Sequence, residues 1–562
     1  MFWLLALIII IWALAYFKAS LKITTAVFAG LLTICTIQNG FNLCAQILWG
    51  VFLIIAAVLN IPALRQKLIS APALKLMKNA IPKVSQTERE ALEAGDVWWD
   101  AELFSGNPDW KVLQDLPETK LSAEEQAFLS NETETLCAML DDWDITHNRQ
   151  DLPPEVWDYI KKNKFCGMII PKKYGGLDFS HYAHSQVVMK IASRSSSAAV
   201  TIMVPNSLGP AKLLLAYGMQ EQKDYYLPRL AIGEEIPAFA LTGPNAGSDA
   251  GSIPDTGIVC YGEFEGKKKV LGICLNWDKR YITLGPVATV LGMAFKLYDP
   301  DKLIGDKESL GITAALIPTK TKGVSIGRRH FPLDSAFQNG PNWGKDVFIP
   351  MDWVIGGQAE VGNGWKMLMQ CLATGRAISL PALATAAAKF TCRNTGAYAR
   401  IRKQFNLPIG EFEGIQEALA RMAGQTYIID AARKISVAAL DDGKKPSVIS
   451  AIIKYELTER MRKVLNDGMD IQGGSGISLG PKNYLGRLYQ VIPVSVTVEG
   501  ANILTRTMMI FGQGAVRCHP FIQQEMEALE NNDAALFDKV FFQHAGFTIH
   551  NFAATFWLGL SS

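Results

Sequence analysis

Four short segments carry residue types from which catalysis or cofactor binding is built. The first is Leu241–Ser252 (LTGPNAGSDAGS), where Thr242, Ser248, Asp249 and Ser252 stand among small residues. Glycine lets a backbone approach a ligand, and free N–H groups beside hydroxyls suit a phosphate or a flavin edge. The same composition also makes an ordinary turn between strands. The second, Asp470–Gly476 (DIQGGSG), follows a helical stretch and reads equally as a helix C-cap and turn. The third, Arg402–Phe405 (RKQF), sets a cation beside an aromatic ring, as a solvated basic turn also does. The fourth is Thr497–Asn502 (TVEGAN), in which Glu499 follows the apolar run VIPVSV at an expected helix start. There the helix dipole favours any carboxylate. A carboxylate desolvated by apolar neighbours instead has a raised pKa and becomes a better base.

Several chemistries find no support. No GxGxxG follows a strand, and no GxxxxGK[ST] or HExxH is present. The 9 Cys are scattered without a CxxC pair, which argues for reduced thiols and against a zinc site or disulfide framework. The 7 His are equally dispersed; His181 and His184 share a helix face and read as a structural pair, so no metal site is expected. A formal net charge of +2 with 19% charged residues gives no basic field for nucleic acid.

The elements that must position these segments change character along the 562 residues, a length that implies two or more domains. Residues 122–214 repeat apolar positions at helical spacing, and Ser122-Ala-Glu-Glu is a helix-start signal. From about Ile236 to Val354 short β-rich runs such as AFALT, GIVCYGEF, KKVLGICLNW and RYITLG are separated by Gly, Asp, Asn or Pro. That predicts an antiparallel β domain. After Gly362 the text returns to helix over 365–402, 414–441, 447–468 and 503–512. The expected divisions are a membrane anchor of two or three apolar helices (1–68), a connector (69–118) and an N-terminal helical domain (119–236). A β domain (237–356) and a helical bundle (357–520) follow. Residues 521–562 are the start of a further helical region that stops in apolar text, and it is expected to be incomplete.

The anchor is read from residues 2–17 and 23–64, which carry no charge and are flanked by Lys18, Lys22, Arg65 and Lys67. A spanning helix needs roughly 20 apolar residues. Residues 41–64 satisfy that, whereas 2–17 and 23–37 are short. The cations fall on one side of a hairpin and place everything after Arg65 in the cytoplasm.

Taken in order, LTGPNAGSDAGS, RYITLG, RKQF, DIQGGSG and VEGANILTR resemble the acyl-CoA dehydrogenase family over about Glu118–Pro520. The likeness is nearest to the large membrane-associated, FadE-like branch of bacteria. The resemblance implies an α+β multidomain fold with N-terminal membrane helices, an α-helical domain, an antiparallel β domain and a C-terminal helical bundle. It implies FAD as cofactor and oxidation of medium- to long-chain fatty acyl-CoA to trans-2-enoyl-CoA, the first step of fatty acid β-oxidation. Electrons would go to electron-transfer flavoprotein, from a homodimer or larger assembly at the cytoplasmic side of a bacterial inner membrane.

The resemblance also assigns residues. Glu499 is the expected catalytic base, with Arg376, Ser248 and Gly500 at the substrate. Phe239, Leu241, Thr242, Ser248 and Ala501 would contact FAD, Tyr281 would pack on its ring and Thr283 would lie at N5. Arg402, Phe405, Asp470, Gln472, Gly473 and Gly474 would reach the FAD of a neighbouring subunit. Gly243, Asn245, Tyr281, Ala373 and Val498 depart from the family's more usual residues, which touches CoA contacts and chain length rather than the reaction.

Overall fold

The computed structural model describes residues 2–80, 85–207 and 209–561. Met1, residues 81–84, Leu208 and Ser562, which fall within the expected anchor, connector, N-terminal helical domain and C-terminal region, lie outside the described residues. The chain forms two compact units. One comprises Met1–Ser85, Trp98–Trp110 and Gln513–Ser562, the other Gln86–Val97 and Lys111–Gly512. The 69–118 connector is therefore not one element but is divided between them.

In the first unit the apolar N-terminal text forms three helices, α1 (Phe2–Tyr16), α2 (Leu21–Asn39) and α3 (Leu43–Asn60). Polar residues set their boundaries. Ser20 and Asn42 accept from the Ile23 and Ala45 N–H groups as N-caps, and Gly40 turns the chain at φ +75°. α2 and α3 form an antiparallel hairpin, with Trp49 Nε1 donating to Thr36 Oγ1 at 3.0 Å and Asn60 Nδ2 to Thr25 Oγ1 at 2.9 Å. Both helices, at 19 and 18 residues, are long and apolar enough to cross a membrane. The expectation that 23–37 is short is corrected, because Leu21, Lys22 and the polar Gln38 and Asn39 extend the helix at its ends.

The C-terminal helix Ala534–Ser561 lies along α1, where Trp12 Nε1 donates to Ala553 O at 3.2 Å. Arg65 Nε donates to Asp538 Oδ1 at 2.9 Å, and Ser70 Oγ to the same oxygen at 2.6 Å. The Arg65 bond holds the Asp538 carboxyl below the usual carboxylate range.

The second unit begins its family-like part with a capping box. Ser122 Oγ accepts from the Glu125 N–H, and Glu125 Oε2 from the Ser122 N–H. Behind it the helices His181–Ala192 and Ser196–Ser207 supply an apolar core that includes Val187, Val188, Ile191 and Ile202.

The sheet has seven strands: β1 (Pro237–Ala240), β2 (Thr256–Phe264), β3 (Lys267–Thr283), β4 (Val290–Tyr298), β5 (Ser309–Pro318), β6 (Val324–Ile326) and β7 (Asn339–Pro350). It is mixed rather than wholly antiparallel. β4 pairs with β5 antiparallel, but with β1 over 290–293 and β2 over 296–298 in parallel. Its near-continuous burial fits such a central strand. The two runs KKVLGICLNW and RYITLG are one 17-residue strand, bent by register shifts at Leu275/Trp277 and Lys279/Ile282.

Four long helices close the unit: α4 (Gly364–Ile401), α5 (Glu413–Asp441), α6 (Ser447–Gln472) and α7 (Tyr484–Thr497). α4 and α6 pack over most of their lengths with α5 beside them. The regular helix expected over 503–512 is a single turn, Asn502–Leu504, followed by a wide π-type turn over Thr505–Gly514.

Candidate active site

The base candidate stands on an unusual piece of backbone. α7 ends at Thr497, and Glu499 (φ +55°) and Gly500 (φ +90°) follow in the left-handed region before the Asn502–Leu504 turn begins. Glycine is at home there, but a glutamate is strained. A Cβ on Gly500 would also come within 3.0 Å of Thr505 Oγ1. Glu499 is thus not at a helix start, and the helix-dipole explanation for its presence is withdrawn.

Two cations hold this turn. Arg376, on α4, donates Nε to the Glu499 carbonyl at 3.0 Å. Lys454, on α6 and fully buried, donates Nζ to Gly500 O at 2.7 Å, to Asn502 Oδ1 at 2.6 Å and to Val496 O at 3.5 Å. Asn502 in turn donates to Thr458 Oγ1 and Glu459 Oε1.

Both Glu499 carboxylate oxygens are buried and have no hydrogen-bond partner among the described residues, although the residue as a whole is half-buried. Burial pushes its pKa up to about 7 against the opposing pull of Arg376 and Lys454. Burial also brings Lys454 down to about 8, offset in part by Glu499. A carboxyl group near neutrality, desolvated and unpartnered, is suited to taking a proton from carbon.

The remaining expected residues fall into two groups. Phe239 and Leu241, at the end of β1, pack on a core containing Met367, Leu368 and Cys371 of α4, the helix that carries Arg376. Ile282 and Leu284, flanking Thr283, share a core with Val494 of α7. The first two motifs are therefore anchored to the helix that carries Arg376 and to the helix that precedes the base. The Leu241 carbonyl accepts from Lys279 Nζ at 2.8 Å, and Lys279 is paired at 2.5 Å with Asp255, both fully buried in the side chain. Thr242 O accepts from the Arg280 N–H. Tyr281 (φ +61°) is 60% exposed, and Asn339 Nδ2 donates to its carbonyl. Ser248 is exposed, and Ala501 half-buried.

The second group is not brought to Glu499. Arg402 and Phe405 sit on an exposed hairpin beyond the end of α4, and Phe405 is 88% exposed. At 1.5 Å per residue, Arg402 lies about 39 Å along α4 from Arg376. Gln472 is buried and donates to Asn394 Oδ1 at 2.7 Å, while Asp470 and Gly474 are exposed. Among the described residues a Cβ on Gly247, Gly473 or Gly474 would meet no atom within 4 Å, which leaves these backbones open to a ligand. Open glycine backbones, an exposed Tyr281 ring and a Phe405 hairpin fit a large dinucleotide cofactor such as FAD.

The sequence reading missed Lys454. Its signal was there: Ala451, Lys454, Thr458, Met461, Leu465 and Gly468 form one buried stripe at helical spacing, and a lysine in such a stripe calls for a buried partner.

Helical domain, sheet, helical bundle and an unpartnered buried carboxylate together define an oxidoreductase of the acyl-CoA dehydrogenase type. Residues 119–234 match the description "Acyl-CoA dehydrogenase, N-terminal domain", 362–510 "Acyl-CoA dehydrogenase, C-terminal domain" and 516–562 "Acyl-CoA dehydrogenase, C-terminal, bacterial type". The chain is 32% identical to the 3-(aryl)acrylate reductase of Clostridium sporogenes, over 63% of this chain and 88% of that protein. It is 28% identical to the probable acyl-CoA dehydrogenase FadE10 of Mycobacterium tuberculosis, over 75% of this chain and 63% of that protein. The crystal structure of an acyl-CoA dehydrogenase from Geobacillus kaustophilus matches with a TM-score of 0.61 at 26% identity, covering 70% of this chain and 98% of that one. The chain belongs to the acyl-CoA dehydrogenase family.

Proposed function

We propose that this chain oxidises fatty acyl-CoA thioesters at the Cα–Cβ bond, giving trans-2-enoyl-CoA, with Glu499 as the base and FAD as cofactor. The observation that carries the reading is the Glu499 carboxylate, buried, unpartnered and near neutrality on a rigidly held turn. A thioester carbonyl acidifies its α C–H, and Glu499 takes that proton onto an oxygen with no competing hydrogen bond. Arg376 and Lys454 spend their hydrogen bonds on backbone and Asn502, so they fix the turn without capping the carboxylate. The resemblance adds the Glu499 N–H as a donor to the thioester oxygen, an oxyanion-hole role. FAD, when bound, supplies the acceptor for the hydride leaving Cβ, and a solved relative of this fold holds FAD. Thr242, Ser248, Tyr281 and Thr283 would hold it from the sheet side.

Three further features belong to this reading. Electrons pass to electron-transfer flavoprotein. Arg402, Phe405 and residues 470–474 serve a neighbouring subunit, which their distance from Glu499 supports. α2 and α3 anchor the chain in a bacterial inner membrane with the catalytic unit on the cytoplasmic side, which their length and apolarity support.

The test is a visible spectrum of the purified protein before and after anaerobic addition of palmitoyl-CoA. Bleaching of a flavin band is expected. A flavin that stays oxidised rejects long-chain acyl-CoA, and an absent flavin rejects the catalytic reading. The likeness to an arylacrylate reductase favours one second reading, reduction of a conjugated double bond. Re-oxidation of the reduced flavin by an arylacrylate, with no bleaching by palmitoyl-CoA, would select it.

A further inference from the structure

The base turn holds two consecutive residues in the left-handed region, one of them a glutamate, and Thr505 Oγ1 supports it from nearby by donating to the Gly500 carbonyl at 3.1 Å. Its carbonyls are also claimed from distant parts of the chain. An ammonium has three donors, and those of Lys454 reach acceptors on either side of Glu499: Val496 O before it, Gly500 O and Asn502 Oδ1 after it. Asn502 is itself oriented by Thr458, one turn along α6 from Lys454. A straight helix thus presents a charged staple and its brace to one irregular loop.

We propose that Lys454 is a positioning residue for the base, stapling the 496–502 segment so that the Glu499 carboxylate is held bare and aimed at the substrate. The proposal rests on the reading of Glu499 as the base. The charged groups around Glu499 are Arg376 from α4 and Lys454 from α6, with Glu459 acting on Lys454 from the same helix. Lys454 pulls the Glu499 pKa down and Arg376 does so too, so losing Lys454 raises it. Since the ionised carboxylate is the active form, the acid limb of the rate profile must then move to higher pH.

The test uses the full chain with its flavin. Lys454→Met is expected to keep the flavin spectrum, slow flavin bleaching by acyl-CoA at least about tenfold and leave KM within about threefold. Its acid limb should move to higher pH. Should Lys454→Met not fold, Lys454→Gln keeps a donor without the charge, and the same upward limb is expected with a smaller loss of rate. Either folded variant with an unmoved limb and a rate within about twofold of the parent overturns the proposal. Glu499→Gln measured in parallel separates the two readings. If that variant is inactive and the Lys454 variants are normal, only the staple fails; if Glu499→Gln turns over normally, the base assignment falls and the staple with it.

Discussion

Arg376 meets Glu499 at the wrong end for a salt bridge: its Nε donates to the glutamate's carbonyl at 3.0 Å while the carboxylate has no hydrogen-bond partner among the described residues. An ion pair here would lower the carboxylate's pKa and weaken it as a base. Spending the guanidinium on the backbone fixes position while preserving basicity.

Glu499→Gln is nearly isosteric and leaves the carbonyl bonds of the turn intact. It should retain flavin and bind acyl-CoA, yet lose turnover by about 10²–10⁴-fold, the usual size of a general-base contribution. Stopped-flow bleaching of the flavin reads this directly. Turnover near that of the parent would remove Glu499 from the mechanism.

The same residue makes a stability prediction. Its carboxyl is raised from 4.5 to about 7 in the folded chain. The folded state holds this proton more tightly than the unfolded one, so its contribution is full below pH 4.5 and is lost as pH rises through about 7. Above that, the ionised group costs on the order of 3 kcal/mol. Glu499→Gln should therefore melt higher than the parent at pH 8, and the difference should vanish near pH 4.5. A melting difference that does not depend on pH would show that the carboxylate is not held near neutrality.

Lys279 and Asp255 pin the strand carrying Tyr281 to the loop carrying Thr242 through the Leu241 carbonyl. Asp255→Ala strands a buried cation, and the expected loss is about 3–5 kcal/mol. Denaturant unfolding of the flavin-bearing unit, followed at the flavin band, measures it. Replacing both residues by apolar ones should cost less than the single change.

Phe405 is 88% exposed and makes an edge contact with Phe412 at 6.1 Å. Arg402→Ala with Phe405→Ala should lower flavin retention and the sedimenting mass together. Full flavin content in a smaller particle would disconnect the hairpin from the cofactor.

For the anchor, the complete chain should stay with membranes through an alkaline carbonate wash, and a chain lacking Met1–Leu64 should not. Retention of the shortened chain would move the anchor to the helix Ala534–Ser561, whose Phe552 and Leu560 are exposed.

Much of this was readable from the text because its signals are local. Ser122 and Glu125 spell out a capping box, and the change near Ile236 from helical periodicity to short β-rich runs parted by Gly, Asp, Asn or Pro announces the sheet. What stayed hidden is non-local. Nothing in VLGMAFKLY states that β4 will take β1 and β2 in parallel on one edge, because those pairings depend on chain 50 residues away. Glu499 read as a helix start because it precedes helical text; the left-handed turn is set by Lys454 and Arg376, which lie 45 and 123 positions upstream. The wide turn over Thr505–Gly514 has a helical composition, so only the structure distinguishes it.

The Arg65–Asp538 pair joins positions 473 apart in the chain. At about 5–20 residues per second of synthesis, Arg65 waits on the order of half a minute or more for its partner. The hairpin α2–α3 is closed by bonds between its own residues, whereas α1 and Arg65 also bond Ala553 and Asp538, which are made much later. Closure of this unit around Arg65 therefore waits on Asp538, long after the hairpin residues have been made.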